Sequence, residues 1–134
     1  MVTQNFRKFT LSTGKEIFAG KNAEQNDLLV SSSSRNDTLL HTHKPGSPFV
    51  NVGENPTYQE ITEAAVYCAL KSQDFRDHKH DVKVNVFLKA DCKKGPMAKE
   101  GSWHVAKVRD TITIAKIDIL RLQHDIESEL EEEE

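Results

Sequence analysis

The stretch Arg35-Asn-Asp-Thr-Leu-Leu-His-Thr-His-Lys-Pro-Gly-Ser-Pro-Phe-Val-Asn-Val52 decides how this chain is read. Leu39 and Leu40 sit between polar groups, a Lys-Pro-Gly-Ser turn follows, and Phe49-Val-Asn-Val52 is β-prone. That order predicts strand, turn, strand, and therefore an antiparallel pairing at the centre of the fold. The same stretch gathers Arg35, Asp37, His41, His43, Lys44, Gly46 and Ser47 in a protein with six histidines. In a strand His41 and His43 share a face, because side chains alternate with period two. A ligand is expected to touch this hairpin.

Outward from the hairpin, the pattern alternates between sheet and helix. Residues 6–11 and 15–20 read as two short strands around a Ser12-Thr-Gly14 turn. Asn22 is placed to cap a helix from Ala23, with Gln25 completing a capping box and Leu28 and Leu29 turned inward. Thr57 is placed to cap the strongest helix, from Tyr58 to about Ser72. There Ile61, Ala64, Ala65, Cys68 and Ala69 fall at helical spacing. Residues 81–88 alternate apolar and polar, as a half-buried strand does. A Lys/Gly/Pro loop over residues 93–101 leads to predicted strands at 102–108 and 111–115, with a turn at Arg109-Asp110. Asp118 is expected to cap a last amphipathic helix built on Ile119, Leu122, Ile126 and Leu130. The sum is an α+β domain with a mostly antiparallel sheet and two or three helices. Residues 1–117 would form its body and residues 118–134 a C-terminal helix with an acidic tail.

A chain of 134 residues fits one domain. Its apolar runs are far shorter than the ~20 residues that span a bilayer. The N-terminal residues lack the continuous apolar core of a secretory signal. Cys68 and Cys92 stand apart and outside any C-x-x-C motif, so reduced thiols in a cytoplasmic protein are expected. The formal charge of −3 hides an asymmetry. Residues 125–134 hold seven acids and no base, which leaves 18 bases against 14 acids, a net +4, in the rest. A basic body suits a polyanion, and the tail is placed either to shield that body or to keep it solvated.

Gly20-Lys-Asn-Ala-Glu-Gln-Asn-Asp27, then Asn36-Asp37-x-x-x-His41, Pro45-Gly-Ser47 and Glu63-Ala-Ala65 before a Lys-rich glycine loop, together resemble the NFACT-R family. That family is the RNA-binding module of ribosome quality-control proteins once called fibronectin-binding-like. The resemblance covers roughly residues 8–117. It implies binding of tRNA or ribosomal RNA, with the large ribosomal subunit as a partner and a role in translation or ribosome-associated quality control. It leaves DNA as a further partner, and a separate protein would supply the family's tRNA-engaging domain, which is not found here. Leu39 stands where the family usually has an aromatic, and Pro48 where it usually has histidine.

The expected RNA-contacting face is Lys21, Asn22, Gln25, Asn26, Arg35, Asp37, His41, His43, Lys44, Gly46, Ser47, Lys93 and Lys94. Lysines and Arg35 would hold phosphates, with Lys93 and Lys94 on a mobile basic finger. The amides and histidines would orient bases or ribose hydroxyls. Two readings from other classes compete. One is a protein–protein adaptor that docks through the acidic helix. The other is a metal-dependent hydrolase built on Asp37, His41 and His43, with a fourth ligand from His78 or His80. A Ser47–His41–Asp37 trio can also be drawn. With no G-x-S-x-G elbow, no Walker loop and no G-x-G-x-x-G, neither catalytic residues nor a cofactor are expected. Trp103 is read as core, with His104 pointing outward.

Overall fold

The computed structural model describes residues 5–133, with side chains through Glu132. Residues 1–4, which begin the segment read above as no secretory signal, and Glu134, last of the tail acids, lie outside the described residues. The hairpin forms as predicted. Strand β3 (Asp37–Thr42) and strand β4 (Val50–Glu54) pair antiparallel, with a bulge between Thr38 and Leu39.

Around that pair a six-stranded antiparallel sheet runs in the order β1-β2-β4-β3-β5-β8. Its other strands are β1 (Arg7–Thr10), β2 (Glu16–Ala19), β5 (Val82–Leu88) and β8 (Asp110–Ile114). Among the described residues the α-helices are α1 (Ala23–Ser32), α2 (Tyr58–Leu70), α3 (Gln73–His78) and α4 (Lys116–Glu133). This is the expected α+β class.

Alternation in the central strands sends side chains to two different cores. Leu40, Val50, Val52, Val84 and Ile114 face α2 and α4, where Ala64, Ala65, Ala69 and Ile119 are fully buried. Small residues on α2 let the helix lie close to the sheet, and each buried branched side chain contributes about 1.5–3 kcal/mol. Leu39, Phe49 and Phe87 face the other way, against Phe6, Leu29 and Val30. The Glu63-Ala-Ala65 element now has a reason. Its alanines make the close approach, and Glu63 Oε1 accepts from Ser12 N at 2.8 Å, which fixes the β1–β2 turn to α2.

Four local expectations are corrected. Leu28 is 38% exposed, because Asn26, Leu29 and Val30 form the inward stripe of α1. The long helix stops at Leu70, and Ser72 caps α3 by accepting from Phe75 N at 3.1 Å. Within residues 102–108 the main sheet gains no strand. Two residues of that segment, β7 (His104–Val105), pair with β6 (Cys92–Lys93) in a separate ribbon. Finally, α4 starts at Lys116, whose N–H donates to Asp81 Oδ1 at 2.8 Å, so Asp118 does not cap it. A carboxylate from another element satisfies the first turn, which no local pattern announces.

Both cysteines are free and buried. Burial pushes the Cys68 thiol up to about 12 and the Cys92 thiol up to about 11, so both stay protonated and unreactive at neutral pH. Among the described residues, no helix is long and apolar enough to cross a membrane.

Candidate nucleic-acid interface

Gly20, Lys21, Asn22, Ala23 and Asn26 build one wall of a cleft, and most residues of this stretch have a structural task. At Gly20 any Cβ would run into the Asn26 amide, so only glycine lets the chain pass beneath α1. Asn22 caps α1 by accepting from Gln25 N at 2.9 Å, and Gln25 Oε1 accepts from Lys21 N at 3.0 Å. The glutamine therefore closes the cap one residue earlier than a standard capping box. Buried Asn26 accepts from Phe49 N at 3.0 Å and donates to Ser47 O at 3.4 Å, which clips α1 to the β3–β4 loop.

Asp27 anchors the roof. Its Oδ1 accepts from Lys94 Nζ at 2.8 Å, Gly101 N at 3.0 Å and Trp103 Nε1 at 3.0 Å. Burial by itself would raise the carboxyl, but these donors outweigh it and hold Asp27 below the usual carboxylate range. The expected mobile finger is thereby corrected at Lys94, whose ammonium also donates to Lys99 O and Ser102 O. A lysine saturated by three acceptors has no free donor for a phosphate. Lys93 sits exposed on β6, opposite His104.

The β3–β4 loop makes the second wall. Ser47 Oγ accepts from Thr42 N at 3.0 Å and donates to Pro48 O at 2.9 Å. Gly46 has φ +92° and its carbonyl accepts from Gln73 N at 2.8 Å. A side chain there would be strained by that φ and would press on Gln73. Ser47 is thus a buried loop clip, and its hydroxyl is committed rather than poised as a nucleophile.

The floor is His41, Asn85, Phe49 and Phe87. His41 and Asn85 are direct partners across β3 and β5, and the His41 and Phe49 ring centroids lie 4.5 Å apart at a 45° tilt. His41 Nδ1 lies 2.7 Å from Thr42 O. A carbonyl can only accept, so Nδ1 carries the hydrogen and Nε2 is left as the acceptor. Burial lowers the His41 pKa and keeps the ring neutral. An imidazole in this state offers a lone pair to a base N–H or a ribose hydroxyl. It is not the phosphate-holding cation that an exposed histidine would be.

Walls, floor and roof enclose an open cleft of about 620 Å³. Seven of the expected residues line it: Lys21, Asn22, Asn26, His41, His43, Gly46 and Ser47. Gln25 supports Lys21 from behind. Lys44 is exposed on the loop but outside the lining.

Arg35 and Asp37 belong to the other end of β3, about 13 Å along the strand from His41. There Asp37 Oδ2 accepts from Ser34 N at 2.9 Å and Asn51 Nδ2 at 3.0 Å. The zinc triad Asp37–His41–His43 is therefore not assembled. The histidines considered as its fourth ligand lie elsewhere, at the end of α3.

The lining also includes residues that the linear pattern did not single out. Arg7 reaches in from β1, its Nη1 donating to Gly20 O at 3.0 Å, and Lys99 stands on the roof loop beside Glu100. Trp103 packs with the Phe49 cluster, as a core residue would, and also faces the cleft. Asn85 was legible as the polar phase of an alternating strand, but nothing local says that this phase faces a cleft.

Comparison with known proteins now defines the class. The fold matches the solved C-terminal part of the fibronectin/fibrinogen-binding protein from Streptococcus suis, with a TM-score of 0.75 and 22% identity. The match covers 86% of this chain and 47% of that one, so the present chain spans about half of the structure it resembles. No curated protein matches it. The family model for the NFACT protein RNA binding domain matches residues 5–106, and the chain belongs to that family. An RNA-binding role goes with that membership.

Proposed function

We propose that the cleft takes an unpaired nucleotide of a structured RNA, with tRNA or ribosomal RNA as the class and translation or ribosome-associated quality control as the setting. The observation that carries this reading is the convergence of three chemistries on one concavity. Two half-buried rings, His41 resting on buried Phe49 and Trp103 at the cleft, offer a surface for stacking. Asn22, Asn85 and the His41 Nε2 lone pair suit a base edge or a 2′-hydroxyl. Arg7, Lys21 and Lys99 stand where the flanking phosphates would run. Recognition of single-stranded or bulged RNA needs those three together.

The large ribosomal subunit, a partner protein with a tRNA-engaging domain, and a cytoplasmic location accompany this reading. DNA is the outcome to test against RNA, and 2′-hydroxyl contacts in the cleft would favour RNA. The acid-rich end of α4, exposed through Glu132, would compete with RNA for the basic body. The adaptor reading has less support, because the first half of α4 packs Ile119 and, in part, Leu120 and Leu122 internally. Among the described residues, only Ile117 and Leu130 of its large apolar side chains are exposed, and Leu130, expected on the packed face, is 57% exposed.

The test is RNA binding by fluorescence anisotropy across a salt series. If about four phosphates are neutralised, log K falls against log salt with a slope of roughly −3 for single strands. The Lys21→Ala/Lys99→Ala double variant should shallow that slope by about 1.4 and weaken all RNAs alike. Binding that ignores salt, or a double variant that keeps the parent slope, overturns the assignment of these lysines.

A further inference from the structure

The Asp74–His78–His80 cluster lies outside the cleft and has no part in the reading above. We infer that these three side chains form a binding site for a first-row divalent metal ion, with zinc as the reference ion. His80 Nε2 lies 2.9 Å and His78 Nδ1 3.3 Å from the same Asp74 oxygen, Oδ1. All the donor atoms fall within 4.8 Å of one another, and among the described residues this is the group of three that could hold a metal. Zinc bonds of ~2.0–2.2 Å in a tetrahedron place ligand atoms roughly 3.3 Å apart, so the two measured edges are already near the required size.

The charges point the same way. The Asp74 side chain is 7% exposed, yet its ion-pair partners among the described residues are the two histidines, with no lysine or arginine. A carboxylate this buried is balanced either by a proton on one of the two rings, whose centroids are 5.1 Å apart, or by a cation held among all three groups. A divalent cation between them balances the carboxylate and turns both rings into ligands.

The backbone holds the rings ready. Lys79 ends α3 in the left-handed region, at φ 48° and ψ 50°, a conformation disfavoured for a residue with a side chain. That turn folds His80 back over His78. Without metal, His78 Nδ1 also lies 3.1 Å from Asp74 O. In the metal-free protein His78 Nδ1 and His80 Nε2 face acceptor oxygens and so carry hydrogens. On binding, the proton of neutral His78 moves to Nε2 and that of neutral His80 to Nδ1, which frees the Nδ1 and Nε2 lone pairs for the ion. His78 and His80 are 60% and 45% exposed, so water completes the coordination shell and the site is open rather than sealed.

The test uses the full, untagged chain, because a polyhistidine tag would bind the same ions. Zinc is titrated in competition with a chromophoric chelator, alongside thermal unfolding with and without zinc. One equivalent should bind and the unfolding temperature should rise, since an ion that binds only the native state stabilises it. His78→Ala/His80→Ala should weaken that equivalent at least tenfold and abolish the thermal shift, while His41→Ala leaves both intact. Asp74→Asn keeps a hydrogen-bond acceptor but removes the charge, so it should fold and bind less tightly. The absence of a stoichiometric equivalent, or one that survives the double substitution, means that Asp74 and its histidines are a hydrogen-bonded group only.

Discussion

Asp37 begins β3 and His41 lies one residue from its end, yet the two have opposite freedoms. At the first end, the Asp37 carboxylate is occupied by a backbone N–H and the Asn51 amide, and Asn51 Nδ2 is also 2.8 Å from Ser33 Oγ. That end is a closed polar knot that fixes the start of β3. At the other end, His41 makes one bond to its own neighbour's carbonyl and rests its ring on Phe49. Its second nitrogen is available to a ligand. The difference is one of saturation: a polar group whose partners lie inside the fold maintains structure, and one with capacity left over can recognise something else.

The sharpest way to break this comparison is to exchange the expected losses. Asp37→Ala removes two hydrogen bonds to a charged acceptor and should cost about 2–3 kcal/mol of folding stability in urea. RNA affinity, measured under conditions where the variant is folded, should stay near the parent value. A loss of affinity without a loss of stability would return Asp37 to the binding site.

His41→Ala should behave in the reverse sense. It removes an acceptor and a half-buried ring that faces the cleft, and should cost about 1–3 kcal/mol of RNA binding. Circular dichroism and the unfolding midpoint should show an intact fold. An unfolded His41→Ala protein, or one with parent-like affinity, would make the His41 end as structural as the Asp37 end.

The smallest effect is the proton on His41. An unfolded histidine takes up a proton near pH 6.5, and burial makes the folded ring resist it. The unfolded state therefore binds more protons in that window. The stability contributed by neutral His41 is complete above about pH 6.5 and is lost as pH falls through the lower folded value. Two-dimensional NMR of the ring should give a midpoint below 6.5, and affinity between pH 7 and 7.5 should be flat in so far as it depends on His41. A midpoint above 6.5 would mean that the ring is solvated and available to phosphates as a cation.

The sequence by itself determined the elements that rest on local rules. The hairpin around Pro45-Gly46, the Asn22 and Thr57 caps, the alternation of β5 and the small-residue face of α2 were all legible, because each depends on neighbours within a turn or a pleat. So were the residues of the Gly20–Asp27 motif, although not the tasks of Asn26 and Asp27. Tertiary structure alone decided those tasks. Asn26 reaches Phe49, Asp27 reaches Trp103, and Asp81 takes the first amide of α4, pairs separated by 23, 76 and 35 residues. The same holds for the cleft. Arg7, Asn85, Lys99 and Trp103 meet His41 because the sheet order and the β6–β7 ribbon bring them there. Composition could supply the lysines and histidines. Which of them keep an unspent hydrogen bond was settled only when distant partners had claimed the rest, since a donor or acceptor is used up in space and not along the chain.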